Sequence, residues 1–320
     1  MSSDEQRPPI FAILLVATML ASCGGSGDAT GGPPPPGGGG PPPPGGSDTQ
    51  VPFPIDRGGA PGAPATYKTL PLALTAGSEP VVMPVAGVIG VICIGMSNAR
   101  AECDRFILRM DRGEFPGVAS SVQFVNCAVD GYAIERWIDP ADDAVTWDAC
   151  VNQRLPARGV TRDQVRVIWH KAADINVTAN GAVLPPYPDP NSDYFNFYDN
   201  LTAFGGRVRQ EFPAALAVYT TSRSYGGFSG TPDRGEPLSY EQGHALNQWL
   251  ADFPNLNGVW FGWGPYIWAP DCASGNTNGS GLCYDRADFR VDGYHPSTSG
   301  QDKVADLLHV RFSQHAWYRQ

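Results

Sequence analysis

Short apolar runs alternate with amphipathic stripes from about residue 88 to the end of the chain. Five runs contain valine and are bounded by polar or glycine-rich turns; they cover residues 88–94, 122–129, 165–169, 216–220 and 259–263. Runs that are apolar on both faces are typical of strands in a parallel sheet that is covered on two sides. The pattern therefore predicts five buried parallel strands.

Four stripes with helical spacing lie between or after these runs. Their apolar members are Cys103, Phe106, Ile107 and Met110; Phe197, Leu201, Phe204 and Val208; Leu246, Trp249, Leu250 and Phe253; and Val304, Leu307, Leu308 and Phe312. Such spacing places one apolar face of a helix on a sheet. Strands that alternate with these helices predict an α/β fold of three α/β/α layers, with a doubly wound parallel sheet of flavodoxin-like order. Residues 298–301, Thr-Ser-Gly-Gln, predict a capping box at the start of the last helix.

The amino-terminal segment has a different character. An apolar run at 10–21 is too short to cross a bilayer comfortably, and it ends in Leu-Ala-Ser before Cys23, which resembles a bacterial lipobox with Cys23 as the acylated residue. An ordinary secretory peptide or a signal anchor is the alternative, since the residues before the run include two acids and only one base, Arg7. Gly24, where an aspartate would signal retention, resembles lipoproteins sorted to the outer membrane.

Residues 24–63 are mostly glycine and proline with almost nothing to bury, which predicts a disordered tether. A proline-rich recognition segment is the alternative. The remaining residues suffice for one domain with its own core. The expected organisation is a lipoprotein signal peptide over 1–23, the tether over 24–63 and one domain over 64–320. We expect an exported monomer that a lipid holds at the membrane of the bacterial envelope.

The net charge limits the classes of partner that are expected, and the cysteine content indicates the redox state of the compartment. The formal net charge is -10, and nothing resembles a basic stripe for phosphates, so a nucleic-acid partner is not expected. Apart from Cys23 the cysteines form an even set without Cys-x-x-Cys or zinc spacing, which predicts three disulfides in an oxidising compartment. Cys272 with Cys283 is the favoured pair because both lie in one long loop. The alternative for Cys93 and Cys127 is that they are buried thiols on strands.

A serine follows the first predicted strand where the pattern changes abruptly. The apolar run ends in Gly-Met before Ser97, and a helical stripe begins directly after it. A hydroxyl at the carboxyl end of a strand and beside a helix N-terminus lies where open α/β sheets bind their ligands. A serine needs a base to act as a nucleophile. His295, with Asp292 three residues earlier, offers an imidazole and a carboxylate that can orient it.

These motifs resemble those of the SGNH (GDSL-like) hydrolases over roughly residues 88–314. Gly-Met-Ser-Asn around Ser97 is similar to the first block, in the form of the sialate and carbohydrate O-acetylesterases. Val-Asp-Gly ending at Gly131 is similar to the second block, which carries an oxyanion glycine, and the span from Asp292 to His295 is similar to the last. The resemblance implies an esterase in which Ser97 attacks an ester carbonyl, His295 takes its proton and Asp292 orients the ring. It implies no metal and no organic cofactor.

The third block departs from the family pattern. It usually supplies a Gly-x-Asn whose amide donates to the oxyanion, but Ala172 and Asp174 occupy those two positions here. Lys171 and Asn176 are the candidates for the missing donor. Lys171 is favoured because a related bacterial subgroup carries Trp-x-Lys at this place and because a cation at a dry site stabilises negative charge. The expected oxyanion donors are therefore backbone N–H groups of the first two blocks together with Lys171 or Asn176.

Several other polar and aromatic residues allow two interpretations each. Arg223 and Glu241, in segments that resemble the same subgroup, can contact substrate or form ion pairs at the rim of the site. Trp263, Tyr266 and Trp268 can stack on a sugar ring or pack the long loop that follows them; packing is slightly favoured.

Two more residues compete for a role in the chemistry. Ser229 lies in Gly-Phe-Ser-Gly-Thr, which resembles part of a nucleophile elbow but lacks the final glycine and the immediate helix. His170 follows a strand and is expected to be a core histidine and not a base. Neither is expected to replace Ser97 or His295.

Two classes of function follow from the motifs. The first is a serine esterase that removes short acyl groups, expected to be acetyl, from a carbohydrate. The alternative is an inactive SGNH frame at the cell surface that binds glycans or has a structural role. The retained Ser97, Asp292 and His295 favour the esterase, whereas the altered third block favours the alternative.

Overall fold

The computed structural model describes residues 79–319, except 172, 175–177, 180, 181, 186, 276, 279 and 280. Four predictions concern residues outside this part: the lipobox with Cys23, the tether, the start of the domain at residue 64 and the role of Asn176. Within the described ranges, no helix is both long and apolar enough to span a bilayer.

A six-stranded sheet forms the centre of the domain. Its strands are β1 Ile89–Gly95, β2 Val122–Asn126, β3 Val165–Lys171, β6 Ala217–Thr221, β7 Asn255–Leu256 and β8 Val259–Trp263, while β4 Thr178–Ala179 and β5 Ala182–Val183 form a separate hairpin. The order across the sheet is β2-β1-β3-β6-β8-β7, and all neighbours except β7 and β8 run parallel. The five predicted strands and their flavodoxin-like order are therefore confirmed.

The edge strand β7 is absent from the sequence prediction. It pairs antiparallel with β8 through a turn of two residues, Asn257 and Gly258, whose φ angles are 54° and 79°. Two positive φ angles in succession match the twist of an antiparallel pair, and Asn-Gly adopts them at little cost. That dipeptide is the signal from which the hairpin could have been predicted.

Seven helices surround the sheet within the described residues: α1 Ser97–Asp111, α2 Ile134–Ile138, α3 Trp147–Ala149, α4 Leu155–Ala157, α5 Asp193–Glu211, α6 Leu238–Asp252 and α7 Thr298–Phe312. Successive residues of a strand point to opposite faces of the sheet. The buried strands therefore contribute side chains to two separate apolar clusters, one on each face. One cluster packs against α1 and α7, and the other against α5, α6 and the short helices. The chain thus has the three layers that the pattern predicts.

The start of α7 differs from the predicted capping box. Its N-cap residue is Ser297, and no side chain caps the first turn. The hydroxyl of Ser297 instead donates to the carbonyl oxygen of Ala287, at 2.6 Å. The capping-box prediction is therefore wrong, because this serine joins the helix start to the preceding loop.

Three disulfides are formed, as the even set of cysteines predicts: Cys93–Cys103, Cys127–Cys150 and Cys272–Cys283. The favoured pair in the long loop is confirmed. The alternative that Cys93 and Cys127 are free thiols is wrong: Cys93 in β1 and Cys127, directly after β2, are each bonded to a cysteine in a helical segment.

Candidate active site

Ser97 lies at the junction of β1 and α1, and the turn that precedes it can be made only by glycine. Gly95 has a φ of 149°, and a Cβ atom there would lie 2.7 Å from the carbonyl oxygen of Lys171 and 2.7 Å from the Cβ of Ala99. The strand can therefore approach its neighbour β3 and enter the helix within two residues. This geometry places the Ser97 hydroxyl at the N-terminus of α1, where the helix dipole favours negative charge.

Ser97, His295 and Asp292 form one hydrogen-bonded chain. The Ser97 Oγ lies 2.8 Å from His295 Nε2, and His295 Nδ1 lies 2.7 Å from Asp292 Oδ2. The structure thus brings together three residues from two segments that are 198 positions apart. A hydroxyl, an imidazole and a carboxylate in this order have the geometry of a nucleophile, its base and the group that orients the base.

The backbone around Asp292 fixes its carboxylate. The other oxygen, Oδ1, accepts from the backbone N–H of His295 at 2.9 Å and of Tyr294 at 3.1 Å. Burial alone would raise the pKa of Asp292, but these N–H groups and the imidazole outweigh it and hold the pKa below its ordinary value. The carboxylate is therefore ionised and positioned to hold a proton on Nδ1, which leaves Nε2 as the acceptor that faces Ser97.

Two contacts hold the loop of His295 against the rest of the site. The amide of Asn98, the residue after the serine, donates to the carbonyl oxygen of Tyr294 at 2.9 Å. Gly293, with a φ of 80°, packs so closely on the backbone of Phe228 that a Cβ atom would collide with the carbonyl oxygen. The histidine is thus positioned by α1, the helix that begins at Ser97, and by the segment that follows β6.

The competing serine and the other histidines lie elsewhere. The hydroxyl of Ser229 bonds to Thr231 within its own loop and lines a separate surface cavity. His170 stacks on Phe204 with 4.0 Å between the ring centroids, and burial lowers its pKa to about 3, as expected for a core histidine. Burial likewise lowers the pKa of His244 to about 4.

Gly131 and Asp174 show how the second and third blocks are arranged. Gly131 has a φ of 76° and lines the same cleft as Ser97 and His295, as its predicted role requires. Asp174 is buried, and its carboxylate accepts from the amides of Asn196 and Asn200 on α5, at 2.8 and 3.0 Å. Asp174, which stands where SGNH hydrolases usually have an asparagine, therefore points to α5. The two amides there bind its negative charge.

Lys171, the predicted oxyanion donor, is paired with a carboxylate that the sequence analysis missed. Its Nζ lies 2.6 Å from Glu102 Oε1 and 3.4 Å from the hydroxyl of Ser224, and both charged side chains are buried. One feature of the sequence could have indicated that Glu102 is buried. It lies between Ala99 and Phe106 on the apolar face of α1. An acid on such a face needs a buried partner.

Arg223 and Glu241 have different surroundings in the structure. Arg223 lines a small pocket beside Ser97. Glu241 is buried in α6, where it accepts from the backbone N–H of Tyr187 at 2.8 Å, and in the described part of the chain it lines neither cavity at Ser97. The structure therefore corrects the rim position expected for Glu241, because its carboxylate is used to hold a loop.

The aromatic residues at the end of β8 and in the loop after it are core residues. Trp263, Tyr266 and Trp268 are all buried, and the indole N–H of Trp268 donates to Glu236 at 3.0 Å. They pack the long loop, as the slightly favoured interpretation states. No ring of these three is available to a sugar from solvent.

Ser97 lines two cavities of unequal size. An open outer cleft of about 730 Å³ has Gly131, His295 and Arg290 among its walls. A much smaller inner pocket of about 30 Å³ shares Ser97 and Tyr294 with the cleft and is also lined by Lys171, Arg223, Ser224 and Tyr225. Arg234 borders both, and no pattern in the sequence indicated it.

Comparison with known proteins gives low similarities only. No family model matches the chain, and no curated protein matches it. Similar solved structures include an acetylxylan esterase from Geobacillus stearothermophilus, at 13% identity over 74% of this chain and 100% of that one with a TM-score of 0.43. A GDSL-like lipase from Bacteroides thetaiotaomicron is 11% identical over 73% and 90%, with a TM-score of 0.40. A psychrotrophic esterase from a Pseudoalteromonas species is 12% identical over 71% and 97%, also with a TM-score of 0.40.

These solved structures are described as esterases or lipases, the class of enzyme that the sequence motifs predict. Because the identities and TM-scores are this low, the fold assignment rests on the strand order of this chain. What the site can do chemically rests on the distances around Ser97.

Proposed function

We propose that the protein is a serine esterase that hydrolyses short acyl esters, acetyl above all, on a carbohydrate. The observation that carries the proposal is the chain of hydrogen bonds from Ser97 through His295 to Asp292, at 2.8 and 2.7 Å. A helix cap and a turn aspartate would have no reason to share a histidine in this order. The position at the carboxyl ends of parallel strands supports the same proposal.

The reaction is an acyl transfer in two steps. Ser97 Oγ attacks the carbonyl carbon while its proton passes to His295 Nε2, and the protonated ring then gives that proton to the departing alcohol. Water, deprotonated by the same imidazole, attacks the acyl-serine and releases the acid. Asp292 stabilises the imidazolium in both steps, and the N–H groups of Ser97 and Gly131 face the oxyanion.

The unequal cavities support a short acyl group. The inner pocket of about 30 Å³ equals roughly the volume share of one water molecule, so it accepts a methyl group or a single oxygen and excludes a long chain. The outer cleft is open and far larger, which suits a bulky alcohol such as a glycan. The acyl part of the ester therefore enters the inner pocket, and the alcohol part lies in the cleft.

A series of p-nitrophenyl esters from acetate to octanoate tests this proposal. We expect hydrolysis that falls steeply with chain length, and loss of activity in Ser97→Ala with an unchanged circular dichroism spectrum. Release of acetate from acetylated oligosaccharides, measured by coupled assay, then tests the carbohydrate. Preference for octanoate over acetate would refute the acyl assignment.

A non-catalytic glycan-binding role is the second candidate, and Asp174 is the observation that favours it. The chain lacks the family's asparagine at this position. Saturable binding of acetylated glycans without turnover of any ester in the series would establish this role instead.

Lipid anchoring at the bacterial envelope completes the proposal. It is supported by the Leu-Ala-Ser-Cys sequence that ends at Cys23 and by the disulfides, which form in oxidising compartments. Cys23→Ser should abolish incorporation of labelled fatty acid and leave unprocessed precursor. A mature protein whose N-terminus lies beyond residue 23 and carries no lipid would exclude the anchor.

A further inference from the structure

Asp174, in the position of the usual asparagine, and Lys171, the favoured oxyanion donor, are both bound to other side chains. The Asp174 carboxylate is bound by two asparagine amides of α5, and the Lys171 ammonium lies 2.6 Å from Glu102. The other candidate, Asn176, lies outside the described residues, so a further donor is sought among the described residues near Ser97.

Arg223 lies at this place with an unsatisfied donor. It lies two residues after the end of β6 and lines the inner pocket together with Ser97. The residue is partly exposed, but its Nη1 is sealed from solvent and has no hydrogen-bond partner among the described residues. The other two cations in the pocket walls have carboxylate partners: Lys171 pairs with Glu102, and Arg234 lies 3.3 Å from Asp233.

No described residue forms a hydrogen bond or an ion pair with the Arg223 guanidinium, which lines the pocket beside Ser97, so an acceptor oxygen of a ligand there would stabilise it. The carboxylates of Asp193 and Glu236 act on Arg223 through their charge and not through a hydrogen bond. The pocket of about 30 Å³ limits the missing acceptor to roughly one oxygen-bearing group.

We infer that Arg223 is the side-chain oxyanion donor and binds the carbonyl oxygen of the acyl group in the inner pocket. This inference rests on the proposed esterase function and deepens it. When Ser97 Oγ bonds to the carbonyl carbon, the π electron pair of the carbonyl moves to its oxygen, and the serine proton moves to His295. The guanidinium of Arg223, in the wall of the inner pocket, donates a hydrogen bond to this negatively charged oxygen. The pair returns to the carbonyl when the alcohol leaves with the proton of His295.

The same site binds small carboxylates. Acetate, the expected product, carries a negative charge, and one of its oxygens can occupy the inner pocket while the rest of the molecule lies at Ser97. Acetate should therefore bind competitively with substrate, and its binding should depend on Arg223.

Kinetics of Arg223→Gln and Arg223→Lys test the catalytic part. We expect kcat to fall by about 10² to 10³ in Arg223→Gln with KM changed less than about threefold, since a lost oxyanion donor acts on the transition state. Arg223→Lys should recover part of the loss. Arg207→Gln is the matched control, because Arg207 is also largely buried but pairs with Asp143 and Glu211 away from the site. A kcat in Arg223→Gln and Arg223→Lys that stays within about threefold of the wild type would overturn the inference.

Acetate binding supplies a readout that needs no turnover. In Ser97→Ala, sodium acetate should raise the melting temperature saturably, whereas sodium chloride at equal ionic strength should not. The additional change Arg223→Lys should weaken this effect at least about tenfold in apparent Kd. If the wild type hydrolyses esters but acetate binds equally well without Arg223, this inference fails alone. If no ester is hydrolysed and acetate still requires Arg223, the esterase proposal fails while the anion site stands.

Discussion

The ammonium of Lys171 and the carboxylate of Glu102 lie 2.6 Å apart in the interior, at the end of β3 and five residues into the helix that begins with Ser97. Burial raises the pKa of Glu102 and lowers that of Lys171, and each charge opposes the shift of the other. The pair joins α1, the helix that begins at Ser97, to β3. It is a structural feature of the site whether or not Lys171 also faces the substrate.

Removal of one partner of this pair should destabilise the domain strongly. Lys171→Met leaves the Glu102 charge buried and unpaired, which typically costs about 3–5 kcal/mol. Replacing both residues by methionine should restore most of that stability. Urea denaturation of the two single variants and the double variant measures the coupling, and a double variant no more stable than Lys171→Met would contradict it.

Asp292→Asn should lower kcat by about 10³ to 10⁴ and leave the fold intact. The amide oxygen can still accept from the N–H groups of Tyr294 and His295. The NH₂ group, however, faces Nδ1 and favours the tautomer whose proton lies on Nε2, which then cannot accept from Ser97. Full activity in this variant would show that the carboxylate does not orient the base.

Gly293→Ala should reduce both stability and activity. The new Cβ atom would collide with the carbonyl oxygen of Phe228, and the φ of 80° strains any residue other than glycine. Gly117→Ala is the control, since its φ is 78° and no atom lies within 4 Å of the added methyl group. We expect at least about tenfold lower kcat for the first variant and a loss of only about 1 kcal/mol without a change in kcat for the second. Equal effects of the two substitutions would show that the contact with Phe228 is unimportant.

Loss of the Cys272–Cys283 disulfide should reduce activity before it unfolds the domain. The bonded loop is tied at Cys283 by the ammonium of Lys303, which donates to its carbonyl oxygen at 3.0 Å, and it leads directly to Asp292. The double change to serine should lower kcat at temperatures where circular dichroism is still native. If activity and the near-UV circular dichroism signal are lost at the same temperature, the disulfide stabilises the whole domain and not the active-site loop in particular.

Asp193 should make the stability of the domain depend on pH. Burial raises its pKa from 3.8 to about 7, against the bond from Gln242 that lowers it. Between these two values the folded state binds more protons than the unfolded state, so this group's contribution to stability falls as the pH rises. The melting temperature of Asp193→Asn relative to wild type should therefore rise by a few degrees from about pH 4 to about pH 7.5. A difference that does not change with pH would exclude this titration.

The sequence was sufficient for the five parallel strands of the sheet and for the chain of hydrogen bonds at Ser97. Each predicted strand is a short, mainly apolar run, and each large helix shows its buried face as a stripe, so both patterns are visible without tertiary information. Ser97 and the Asp292–His295 pair could be found because a parallel sheet gathers strand ends at one edge.

The remaining features of the site depend on the directions in which individual side chains point. The spacing of apolar residues along the sequence does not determine those directions. Whether the carboxylate of Asp174 faces a substrate or the amides of Asn196 and Asn200 depends on how α5 packs beside the loop. Glu241 has helical neighbours that are also buried, so its sequence context did not distinguish a loop anchor from a binding residue. The pairing of four of the cysteines likewise follows from packing and not from spacing.

The Cys93–Cys103 bond encloses Ser97 in a covalent ring. Its two ends lie on either side of Ser97, in β1 and α1, so the serine lies inside a small closed loop of backbone. Such bonds form in oxidising compartments and are rare where thiols are kept reduced. In a chain whose cysteines are reduced, Ser97 would be held between strand and helix by non-covalent packing alone.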